Sequence, residues 1–75
     1  MKLKTFNKVC TATKLHVINY DTTADVYESF LVDYCKCEGD NVARLVALMN
    51  AGAEVKFVSV WTPDKDALSI STVTE

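Results

Sequence analysis

Apolar positions along the chain follow two different periods. In "KLKTFNKVC", residues 2–10, Leu3, Phe6 and Cys10 recur at helical spacing with Val9 beside them, while Lys2, Lys4 and Lys8 occupy much of the rest. This predicts a short amphipathic helix. After the polar break "TAT", "KLHVINY" alternates. Leu15, Val17 and Asn19 point one way, and His16, Ile18 and Tyr20 point the other, as in a strand. "DTTAD" holds no glycine, so it predicts a longer loop built on a type I turn rather than a two-residue hairpin turn. "VYESFLVDY" follows. Tyr27, Phe30, Leu31 and Tyr34 would also make a helical stripe, but the polar break reads as a hairpin connection and favours a second strand.

"GDNVARLVALMNAGAE" is the clearest helix. Asp40 offers a side-chain oxygen as N-cap, and Val42, Leu45, Val46 and Met49 form the expected core stripe. Ala43, Ala47 and Ala51 favour helix, and Gly52 suits the left-handed position that ends it. "EVKFVSVW" predicts a strand, with Val55, Phe57 and Trp61 on one side and Val58 and Val60 on the other. "TPDKD" is a turn, with Pro63 preset for its first central position. "ALSISTV" closes the chain as a strand in which Leu68, Ile70 and Thr72 alternate with Ser69, Ser71 and Val73. The order is helix, hairpin, helix, hairpin. It predicts one small α+β domain over residues 1–75 (αββαββ), with about four mostly antiparallel strands and the helices on one face.

Seventy-five residues bury only about 60% of their unfolded surface, so the core is thin and a partner is a natural supplement. A homodimer through sheet residues is the expected form. The net charge is -2, unevenly placed. Lys2, Lys4, Lys8 and Lys14 precede the first acid, then Asp21, Asp25, Glu28, Asp33, Glu38 and Asp40 run against Lys36. An acidic side of this kind suits a basic partner groove and argues against direct nucleic-acid binding. No apolar leader region follows Lys2 and Lys4, and "VARLVALM" is too short to span a bilayer. These features predict a cytoplasmic protein with free thiols and no membrane partner.

The candidate chemistry is sparse. Cys35 and Cys37 stand at C-x-C spacing, off the C-x₂₋₄-C spacing of structural zinc sites, and nothing in the sequence brings Cys10 or His16 to them. The reading is three small apolar thiols, without metal or cofactor. His16 is the only histidine and has no committed acid or nucleophile partner; Asp64 and Asp66 lie in a turn; Gly39 and Gly52 make no phosphate loop. This excludes a recognisable enzyme. The expected working surface is the sheet face away from the helices, with His16, Ile18, Tyr20 and Trp61 as partner-binding residues. Asp21, Asp25, Glu28, Asp33 and Glu38 form the expected acidic surface.

Leu3, Phe6 and Val9, "TKLHVINYD", "YES" at Tyr27–Ser29, "VKFVSVW" and "ALSI" together form a pattern. It resembles small proteins of unassigned function encoded by phages and prophages of Gram-positive bacteria. The segment "DYCKCEGD" and the length of the second helix depart from that pattern. The resemblance implies a phage origin and brings no catalytic residues. With the missing motifs, it leads to the expectation of a non-enzymatic protein that binds a host protein in the host cytoplasm, such as an inhibitor of a defence system of the CRISPR nuclease kind. Two other readings remain open. One is a binder that sequesters a nucleotide signal between subunits, with Tyr20, Trp61, Arg44 and lysines as contacts. The other is an accessory protein of phage assembly or replication.

Overall fold

The computed structural model describes residues 1–36, 39–60 and 67–75. Its elements are α1 (Leu3–Val9), β1 (Lys14–Asp21), β2 (Val26–Asp33), α2 (Asp40–Asn50), β3 (Glu54–Val60) and β4 (Ala67–Thr74). The α+β class, the four-stranded sheet and the two helices agree with the hydrophobic pattern. The sheet itself is mixed, in the order β2-β1-β4-β3. β1 pairs antiparallel with β2, β4 pairs antiparallel with β3, and the central strands β1 and β4 run parallel.

Alternation sorts the sheet into two faces. Leu15 and Val17 of β1, Phe30 and Val32 of β2 and Ile70 of β4 are buried, and they share one cluster with Leu3 and Phe6 of α1 and Leu45 and Leu48 of α2. Both helices therefore pack on the same face, α2 over β2 and α1 toward β3. Arg44 of α2 pairs with Glu28 and lies 5.2 Å from the centre of the Phe30 ring. Its stem covers apolar surface at the edge of the core while its head remains wet.

The core of α2 is Leu45 and Leu48, with Val42 and Met49 packed against it. Val46, expected in the core stripe, is 44% exposed. The buried stripe is rotated toward Leu48, so Val46 falls outside the wedge between α2 and β2. Asp40 is the first helical residue rather than the cap. Gly39 holds the cap position with φ 98°, and no side chain caps the helix. Gly52 takes φ 79° just beyond the helix end, as expected for a residue without a Cβ.

The β1–β2 connection, residues 22–25, is a four-residue loop. Asp21 Oδ1 accepts from the N–H groups of Thr23 and Ala24 at 3.0 and 3.2 Å. Asp25 adopts φ 54°, a left-handed position that Asp tolerates better than most residues. β3 carries a bulge at Lys56, between Val55 and Phe57. The extra residue changes the face of everything before it. Val55 thus shares the helix-facing side with Val58 and Val60, opposite Thr72, Ile70 and Leu68. The expected grouping of Val55 with Phe57 is overturned.

Candidate functional site: the open sheet face

The face away from the helices is built from four cross-strand rows, of which Asp33, Lys14 and Ala67 form the outermost, beside the row of His16. Ser29, Ile18, Ser71 and Phe57 form the middle row, one residue from each strand in the order β2, β1, β4, β3. Leu31, His16, Ser69 and Ser59 form the row on one side; Tyr27, Tyr20, Val73 and Glu54 form the row on the other. Hydroxyls dominate the centre. Larger apolar groups stand at the margins and at Ile18. Tyr27 is 70% exposed, Phe57 65% and Ile18 36%.

Contacts of three residue pairs help to order this surface. Tyr20 and Tyr27 stack across the hairpin, ring centroids 4.5 Å apart and 25° between planes, a separation within the range that aromatic pairs favour. The Tyr20 hydroxyl donates to Asp25 Oδ1 at 2.7 Å. That hydrogen bond, more than any burial, raises the Tyr20 phenol above its ordinary pKa. His16 Nδ1 lies 3.1 Å from Ser69 Oγ. The cross-strand neighbours of His16 are Leu31 and Ser69, with Ser59 one strand further. Among the described residues that row holds no carboxylate.

The structure thus brings His16, Ile18 and Tyr20 together on one exposed face. It adds three residues not assigned from the sequence, Tyr27, Phe57 and Leu31. The exposure of Tyr27 was legible in principle, because it sits opposite Tyr20 once β2 is a strand. Trp61 and Glu38, expected at the partner surface and on the acidic side, lie outside the described residues.

The acids are spread over the hairpin and serve local bonds. Asp21 and Asp25 hold the β1–β2 loop, and Glu28 pairs with Arg44. Asp33, at the far end of β2, accepts from the Cys35 N–H at 3.0 Å. Glu54 accepts from Lys2 Nζ at 3.3 Å and from the terminal amine of Met1 at 3.4 Å. Lys2 and that amine hold the Glu54 carboxyl below the usual carboxylate range.

Cys35 is exposed and Cys10 half-buried. The expectation of buried apolar thiols fails for Cys35, because β2 ends at Asp33 and leaves it in the following turn. Cys37 lies outside the described residues. Among the described residues no three His, Cys, Asp or Glu side chains gather as metal ligands. On the helix side a cleft beside the end of α2 is lined by Ala47, Ala51, Asn19 and Thr74. Its buried polar groups are already committed to each other and to Thr72.

Among the described residues no helix is long and apolar enough to cross a membrane. Comparison of the chain with models of protein families, with curated proteins and with solved structures gives no match.

Proposed function

We propose that this chain is a non-enzymatic binding protein of phage origin that docks a host protein on its open sheet face. In that reading the αββαββ unit is a stand that holds the face outward in the host cytoplasm. Inhibition of a defence system, such as a CRISPR nuclease, is the activity that follows from such docking. The observation that supports it is the set of exposed side chains Ile18, Tyr27 and Phe57, held in register on three strands with no layer above them among the described residues. A patch that sets exposed aromatic and aliphatic side chains beside hydroxyls offers both the apolar area and the hydrogen-bonding groups that protein interfaces use.

The nucleotide-sequestering alternative draws less support. Tyr20 is on the open face, whereas Arg44 reaches Glu28 and Phe30 from the helix side. Among the described residues, Tyr20 and that guanidinium lie on opposite sides of the sheet and do not reach one ligand in a single chain.

The test is capture from a Gram-positive host lysate with the wild-type chain and with Ile18→Asp, over a range of salt. The expected result is a protein retained by the wild type even at high salt, since apolar contacts are not screened, and lost by Ile18→Asp. Retention of no specific protein, or of one that Ile18→Asp holds equally well, removes this reading. Stabilisation of the isolated chain by one member of a nucleotide panel would favour sequestration instead.

A further inference from the structure

We propose that the free edge of β3 is a self-association site, pairing antiparallel with the same edge of a second copy of this chain. β3 stands last in the sheet, with β4 as its one strand neighbour among the described residues. The start of its other edge is taken. The Val55 N–H donates to the Met1 carbonyl at 2.8 Å, Lys2 bridges Glu54, and the Leu3 N–H donates to the Ala53 carbonyl at 2.8 Å. Lys56 is the bulge residue. A regular edge remains from Phe57 to Val60.

Exposed edges in folded proteins are usually blunted by charge, proline or a covering element. Residues 57–60 carry neither charge nor proline. Their side chains are exposed on both sides of the sheet, with Phe57 on the open face and Val58 and Val60, 45% and 63% exposed, on the helix side. Among the described residues, the bulge and the N-terminal bridge protect only the beginning of the strand.

The pattern suits a second copy in particular. Antiparallel self-pairing is two-fold symmetric, and paired residues point to the same side of the sheet. The axis must therefore pass through a residue. Through Val58 it sets the bulged Lys56 against Val60. Through Ser59 it avoids the bulge and sets Val58 of each copy against Val60 of the other. Each exposed valine then gains a β-branched neighbour, a favourable cross-strand pair, and the two serines meet without charge. The Ser59 register is the one the structure assigns. So short a pairing falls below the roughly 1,200 Å² of a standard stable interface, so association belongs between about 10 µM and 1 mM. It is compatible with partner docking, because edge pairing extends the sheet in its own plane and leaves the open face with Ile18, Tyr27 and Phe57 uncovered.

The experiment is sedimentation of the reduced full chain, alone, across that concentration range. The expected result is a reversible monomer–dimer equilibrium. Ser59→Lys sets two lysines opposite one another and should weaken it by about tenfold or more, since like charges directly opposite repel. Mixing Ser59→Lys with Ser59→Asp should restore dimer, a rescue expected only where a residue meets its own copy. Ser29→Lys, on the open face of β2, should change nothing. Circular dichroism should be the same for every variant, because Ser59 and Ser29 are exposed. A single-chain mass at every concentration overturns the proposal. A dimer that survives Ser59→Lys but is lost in Ser29→Lys also overturns it, and moves self-association to the open face.

Discussion

The Thr72 hydroxyl donates to Asn19 Oδ1 at 2.7 Å across the parallel pair at the centre of the sheet. Both residues are almost fully buried, and Asn19 Nδ2 continues the chain of bonds to Thr74 Oγ1 at 3.2 Å. β1 and β4 are distant in sequence, so no turn sets their register. A one-residue slip would flip each side chain to the other face. It would also strand these polar groups in an apolar layer. The ladder thus ties the two hairpins together at a single alignment.

Asn19→Ala is expected to destabilise the fold by about 1–3 kcal/mol, the cost of leaving buried hydroxyls without their partner. Thr72→Val removes the donor at nearly constant shape and should fall in the same range. The double variant should cost less than the sum of the two, because residues in one hydrogen-bond network couple. Urea denaturation of the four proteins checks this. Additive losses would show that the bond does not fix the register.

On α2, Leu45 is 3% exposed and Val46 44%. Leu45→Ala should cost roughly 2–5 kcal/mol, as core truncations of this kind do. Val46→Ala should stay within about 0.5 kcal/mol, as surface changes do. Chemical denaturation separates them. Similar losses at both sites would mean that the packed face of α2 is wider than Leu45 and Leu48.

What was legible in the sequence follows from what periodicity reports. Alternation in "KLHVINY" separated Leu15, Val17 and Asn19 from His16, Ile18 and Tyr20, and so named part of the open face. The polar break "DTTAD" correctly turned residues 26–33 into a strand. Periodicity reports faces and not neighbours, so the parallel contact of β1 with β4 had no local signal. The bulge at Lys56 was also silent. It carries no glycine, and it moves Val55 across the sheet by a single inserted residue. In α2 the apolar residues span more than one face, and Val46 and Leu48 compete for the core. Contact with β2 decides between them. Cys35 was misplaced because its burial depended on a strand that stops two residues earlier.

Tyr34 gives a prediction in the alkaline range. Its hydroxyl donates to Asn7 Oδ1 at 2.7 Å. Burial, and then the Cys10 thiol beside it, push its pKa up to about 12. An unfolded tyrosine ionises near about 10. The folded chain therefore keeps a proton that the unfolded chain releases, and the unfolded state gains as pH rises. The contribution of Tyr34 is fully present below pH about 10 and is lost between about 10 and 12. Tyr34→Phe cannot ionise, so the stability difference between wild type and this variant should shrink across that window. The phenolate absorbance of the variant should lack the step near the top of the range. Loss of an ordinary step near pH 10 instead, with the highest one retained, would show that Tyr34 is not held neutral by its place between α1 and the end of β2.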